Sequence, residues 1–185
     1  PLDVTVLLLT TSSFGSMWKD DATLLAATEE IARGCQGPAP LFIAVGRESA
    51  VPRGGGVQVR SVPYQSDPRV VAQYYQAADI YMHAARADNC PLSVLEAMAC
   101  GAAVVATEVG GISEQVRSID IDALDSTATS GVGDATGVLV PPGDPARMAK
   151  AVRALQANPA ARQQLGDNAV RDVRARFSLD QQVEA

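Results

Sequence analysis

The chain has 185 residues, a formal net charge of −6, and a composition that is 47% hydrophobic but only 4% aromatic. That length suits one domain with a proper core, the apolar content argues against disorder, and the acidic balance argues against a nucleic-acid partner, which needs a basic stripe to displace counterions. Cys35, Cys90 and Cys100 lack any CxxC spacing, and His83 is the single histidine, so neither a metal site nor a disulfide framework is expected. No apolar run approaches the roughly 18 residues that a bilayer requires, and no basic and apolar leader opens the chain, which makes the cytoplasm the expected compartment. Pro1-Leu2-Asp3 leads directly into an apolar run without an initiator Met, as in a piece excised from something longer.

In chain order the patterning predicts strands near 4–10, 40–46, 56–61, 79–83, 102–107 and 137–140. Helices are expected near 20–33, 67–77, 91–100, 111–117, 145–157 and 159–175. This alternation predicts an α/β protein with a doubly wound, Rossmann-like parallel sheet flanked by helices. In the first helix Leu24, Leu25, Ala27, Thr28 and Ile31 share a stripe opposite Asp21, Glu29 and Glu30, so the helix should lie flat on the sheet. The segment from Arg117 to Thr136 breaks the rhythm with Asp120, Asp122, Asp125, Ser126, Thr127, Thr129, Ser130, Gly131 and Gly133, and reads as a polar surface insertion. Its aspartates lack the alternating acidic positions and closing Glu of a calcium loop. A helical tail from Gln156 to Ala185 has Pro159 near a start.

The richest chemistry lies between Asp88 and Gly101. Pro91 pre-sets the backbone for a first helical position, which would leave the amides of Leu92 and Ser93 without partners inside the helix and able to hold an anion. Glu96 follows five residues later, about 7.5 Å along the axis, within reach of hydroxyls on a ligand whose phosphate rests at the helix mouth; a ribose fits. Thr10 to Asp20 forms a loop from the first strand into a helix, the usual place for a phosphate in such sheets. Gly110 and Gly111, after the strand 102–107, permit a positive φ and close approach to a ligand, though a plain strand-to-helix turn explains them equally well. His83, at a strand end, fits a hydrogen-bonded structural role better than a catalytic one.

Ala77-Ala78-Asp79-Ile80, Asp88 to Gly101, Val104-Val105-Ala106-Thr107, Gly110-Gly111-Ile112-Ser113-Glu114 and Thr136 to Asp144 occur in this order. Together they resemble the C-terminal domain of retaining GT-B glycosyltransferases of the glycosyltransferase group 1 type, over nearly the whole chain. The resemblance implies one half of a GT-B fold over residues 1–185, which binds a nucleoside diphosphate sugar, with the acceptor domain N-terminal and outside this chain. Transfer to an acceptor hydroxyl, a saccharide or lipid-linked saccharide, would occur with retention, and polysaccharide assembly is the associated process. No metal cofactor is implied, and any contact with the inner membrane would be peripheral, through the other half.

The family signature is two glutamates with seven residues between them, the first at donor-sugar hydroxyls and the second at the ribose. Glu96 matches the second, and Asp88 occupies the first slot as a shorter acid. The missing methylene withdraws the carboxylate by about 1.5 Å, so sugar contact would require a closer loop or a bridging water. The family also tends to place an Arg and a Lys in the loop after the first strand. Lys19 fits the lysine slot, whereas no arginine precedes Arg33, and Ser16 or Trp18 stands where one would be expected. Lys19 then carries the departing diphosphate with one cation in place of two; its bland alternative is a solvated helix flank. Related domains hold the base near Val62-Pro63-Tyr64, where Tyr64 can stack on it or belong to the core.

The reading of the residues and the resemblance together assign Lys19 and Asp88 to catalysis and Glu96, Pro91, Leu92, Ser93, Tyr64, Gly110 and Gly111 to donor binding. Two rivals stand beside it. A Rossmann dehydrogenase needs Gly-x-Gly-x-x-Gly after its first strand, where only Gly15 is found. A non-catalytic relative, kept as a binding or partner subunit, is compatible with the shortened acid and the missing Arg.

Overall fold

The computed structural model describes residues 4–10, 18–35, 38–46, 59–124 and 131–178. Six parallel strands, β1 (Val6–Thr10), β2 (Leu41–Val45), β3 (Val59–Val62), β4 (Ile80–His83), β5 (Ala103–Thr107) and β6 (Gly137–Val140), form one sheet in the order β3-β2-β1-β4-β5-β6. The connecting helices are α1 (Asp21–Arg33), α2 (Pro68–Ala77), α3 (Leu92–Ala99), α4 (Ile112–Gln115), α5 (Pro145–Ala157) and α6 (Pro159–Arg176). This is the doubly wound order, with its reversal between β1 and β4. Ligands in such sheets bind beyond the carboxyl ends of the strands at that reversal, which here means beyond Thr10 and His83.

Period-two alternation divides each strand between two cores. Leu7, Leu9, Ile80, Met82, Ala103 and Val105 face one layer, which contains Leu24, Ala27 and Ile31 of α1 and Met148, Val152 and Leu155 of α5. Leu8, Tyr81, Val104 and Ala106 face the other, against Tyr75 of α2 and Val94, Ala97 and Met98 of α3. Strands buried on both faces explain the continuous apolar runs. Most helix starts are local capping devices: the carboxylates of Asp20, Asp67 and Asp144 and the Asn158 amide oxygen accept from the amides of Thr23, Arg69, Arg147 and Ala161.

The structure moves several boundaries. Strand β1 begins at Val6, and the expected strand residues 56–58 lie outside the described residues. Asp20 is the cap of α1 and not its first residue. Helix α4 spans four residues because Val116 turns extended (φ −108°, ψ 120°) and enters the core, from which Ser118 bridges to Gly137. The stretch expected as a surface insertion is anchored: Ile119, Ile121, Val132 and Ala135 are buried, Asp120 and Asp122 pair with Arg147, and Asp122 also pairs with Lys150. Residues 125–130, and 179–185 of the expected helical tail, lie outside the described residues.

Candidate functional site

A cavity of about 750 Å³ opens beyond the carboxyl ends of the strands, within the size range of small-molecule sites. Its lining includes Thr10 at the end of β1, Lys19, Val45 and Gly46 at the end of β2, Tyr64, Tyr75, and Ser93 and Glu96 of α3. Residues from the ends of β1 and β2, the segments after β1 and β3, and helices α2 and α3 therefore meet beside the reversal of the strand order.

Lys19 owes its place to backbone pairing. It forms an antiparallel bridge with Ala85, while Asp20 N donates to Ala84 O (3.1 Å) and Arg86 N donates to Trp18 O (2.8 Å). The Thr107 hydroxyl clamps the same segment, accepting from Ala85 N (2.9 Å) and donating to Ala85 O (3.0 Å). Lys19 Nζ consequently reaches Asp88 Oδ2 at 2.9 Å and lies 3.4 Å from His83 Nε2. His83 is 2% exposed and its Nε2 lies 3.6 Å from the same carboxylate oxygen. Burial pushes the imidazole pKa down, against the opposing pull of Asp88, which keeps the ring neutral near pH 7. The His83 ring and the Lys19 ammonium hold the Asp88 carboxyl down to about 2 against its partial burial. Because His83 Nε2 is beyond hydrogen-bond reach and Lys19 is within it, the ammonium is the partner that fixes the carboxylate.

Helix α3 begins one residue later than expected. Pro91 is its cap, with extended backbone (φ −67°, ψ 112°), and Leu92 is the first helical residue. The reason is the carbonyl of Pro91, which already accepts the first helical bond, from Val94 N at 3.1 Å. Among the described residues no side chain caps the helix, and the amides of Leu92 and Ser93 have no partner. Gln115 steadies this corner, donating to Cys90 Sγ (3.2 Å) and Pro91 O (3.4 Å). Glu96 sits on the cavity wall, and its Oε2 accepts from Tyr75 Oη at 3.1 Å.

The structure brings Lys19, Tyr64, Ser93 and Glu96 together on the cavity lining, with Asp88 joined to it through Lys19. Tyr64 is 75% exposed, which removes the core alternative. Pro91 is buried, and the Leu92 side chain is exposed and outside the lining, so any part they play is through backbone. Gly110 and Gly111 also lie outside the lining. Gly110 has φ 50°, and a Cβ on it would stand 2.3 Å from Asp88 O; one on Gly111 would stand 1.7 Å from Asn89 O. Their lack of side chains lets the start of α4 press against the 88–89 backbone, where Gly111 N donates to Asp88 O (3.1 Å). The Asp88 side chain caps no helix among the described residues, its side-chain partners being Lys19 and His83. The rest of the loop after β1, residues 11–17 with Ser16, lies outside the described residues.

Sequence reasoning did not single out Thr10, Tyr75 and Tyr81 as site residues, and it took His83 as structural. Tyr81 and His83 share one face of β4, a parity visible in sequence, and Tyr81 Oη meets His83 Nδ1 at 3.2 Å. Thr10 Oγ1 hydrogen-bonds Tyr81 Oη across the two central strands. Burial pushes the Tyr81 phenol up to about 12, although the Ser93 and Thr10 hydroxyls oppose it.

No described helix is long and apolar enough to cross a membrane. The D-inositol 3-phosphate glycosyltransferase of Kineococcus radiotolerans is 39% identical over 101 residues, covering 55% of this chain and 22% of that protein. The matched stretch thus covers about a fifth of the length of such curated relatives. Among solved structures, Anabaena Alr3699/HepE in complex with UDP superposes with a TM-score of 0.74 at 21% identity, covering 98% of this chain and 48% of that one. The C-terminal domain of a glycosyl transferase group 1 family protein (LpcC) from Francisella tularensis gives 0.70 at 19% identity, covering 95% and 87%. The sheet and its helices therefore have the Rossmann-like form of a GT-B C-terminal domain, and the family model for glycosyl transferases group 1 matches residues 6–158. The chain belongs to the glycosyl transferases group 1 family.

Proposed function

We propose that the cavity holds the nucleoside diphosphate sugar of a retaining glycosyltransferase, and that an N-terminal domain outside this chain brings the acceptor and closes the cleft. The observation that carries this reading is Glu96 on the cavity wall, more than a turn inside a helix whose first amides have no partner among the described residues. In this reading the diphosphate rests against the amides of Leu92 and Ser93, where the helix dipole favours an anion. Glu96 accepts from the ribose hydroxyls, and Tyr64 at the mouth stacks on the base. Lys19 stands where negative charge grows on the departing diphosphate, a role that needs no metal. Asp88 holds that ammonium in place and turns toward the donor sugar when the phosphate takes over the pairing. The similarity to a UDP-bound structure supports a nucleotide in this place.

A second reading is a non-catalytic donor-binding relative, favoured by the Asp88–Lys19 pair itself, because the ammonium is already neutralised. Transfer or hydrolysis of a donor by the longer protein separates the two, since the binding-only relative shows neither. For donor binding, millimolar UDP or GDP should raise the melting temperature of the chain, and Glu96→Ala should abolish the shift; 100 Kd of ligand contributes about 2.7 kcal/mol. Unchanged melting of the wild type with both nucleotides refutes the proposal.

A further inference from the structure

We infer that Tyr75 is a positioning residue for Glu96: its buried hydroxyl holds one carboxylate oxygen so that the other is presented to a vicinal diol. The inference rests on the reading of Glu96 as the ribose acceptor. A glutamate on a helix surface has three rotatable bonds and loses side-chain entropy when it is fixed. Glu96 is exposed, yet one of its oxygens, Oε2, is tied at 3.1 Å to Tyr75 Oη, whereas Oε1 has no hydrogen-bond partner among the described residues.

Tyr75 is itself immobilised. It is 2% exposed and packs edge-on against Tyr81, with ring centroids 5.5 Å apart and planes at 71°. Tyr81 is pinned by Thr10 at the end of the neighbouring β1 and by His83 at the end of its own strand. Burial raises the Tyr75 phenol well above the ordinary tyrosine range, with the neighbouring Tyr81 and Glu96 adding to the effect, so it remains a donor at any working pH. A chain of contacts through Tyr75, Tyr81 and His83 therefore links Glu96 on the cavity wall to Asp88 beside Lys19. The carboxylate at one end is aimed by an aromatic that the central strands hold rigid, which is the kind of support that keeps a binding group in its productive geometry.

The test is calorimetric titration of the chain with UDP, GDP and their 2′,3′-dideoxy counterparts, using wild type, Tyr75→Phe and Glu96→Ala. Phenylalanine keeps the ring packing and removes only the hydroxyl. Tyr75→Phe should weaken the better-binding ribonucleotide about three- to tenfold, the size of one net hydrogen bond, and leave affinity for its dideoxy form at the wild-type value. An equal deficit on the dideoxy form overturns the inference, because the loss is then general. Wild-type affinity of Tyr75→Phe beside weakened Glu96→Ala also overturns it and leaves the ribose reading standing. If Glu96→Ala binds like wild type, or wild type binds neither nucleotide, the ribose reading falls and the inference with it.

Discussion

Replacing Gly111 by alanine tests the architecture that places the acidic loop. Gly111 has φ −74° and ψ −5°, a conformation alanine adopts freely, so any penalty comes from contact alone. The new Cβ would stand 1.7 Å from Asn89 O and 2.8 Å from Asn89 C, where ordinary contact begins near 3.4 Å. Both partners are backbone, so the overlap is relieved only by separating the start of α4 from the 88–89 loop, which breaks the Gly111 N to Asp88 O bond. Overpacking of this kind costs about 1–3 kcal/mol and the lost backbone bond about 1 kcal/mol more. Together that is about 2–4 kcal/mol, or a melting temperature lower by about 5–15 °C for a chain of this size. Thermal unfolding followed by far-ultraviolet circular dichroism reads the shift. Melting within about 2 °C of the wild type refutes the argument, and gives back to the glycine pair the plainer role of a turn.

The Asp88–Lys19 pair predicts an acid limb in stability. The Asp88 carboxyl is held down to about 2 in the folded protein, below its unfolded value of about 3.9, so its contribution is present above the unfolded value and fades as pH falls toward 2. Urea unfolding from pH 6 to pH 2 should show wild type more stable than Asp88→Asn at the upper end, with the gap closing at the lower; a gap independent of pH contradicts the pairing. Asp88→Glu restores the family's longer acid and should preserve or improve affinity for a nucleotide sugar such as UDP-glucose, measured by calorimetry. A clear loss would show that this position does not face the donor sugar.

Much of this molecule is legible in a line of text because its determinants are local. Leu7, Leu8 and Leu9 alternate between two cores within three residues, and Asp20, Asp67, Asp144 and Asn158 each cap a helix through an amide two or three residues away. The spacing of Glu96 from Pro91 likewise puts a carboxylate a fixed distance along one helix, and the motif resemblance named Lys19, Asp88 and Glu96 without any coordinates. Local signals were weaker where a long-range packing demand overrode them, as when Val116 left α4 for the core and the polar stretch after it was anchored by Ile119 and Ile121.

Partnership between distant residues is what only the tertiary structure decided. Lys19 and Asp88 are 69 positions apart, Thr10 and Tyr81 are 71, and each pair meets because β1 and β4 are neighbours at the reversal of the strand order. No periodicity encodes that neighbour relation, since many sheet orders bury the same alternating side chains equally well. The contact of Tyr75 with Glu96 depends further on how α2 and α3 pack side by side on one face, so the aim of the Glu96 carboxylate is a property of packing, while its presence on α3 is a property of sequence.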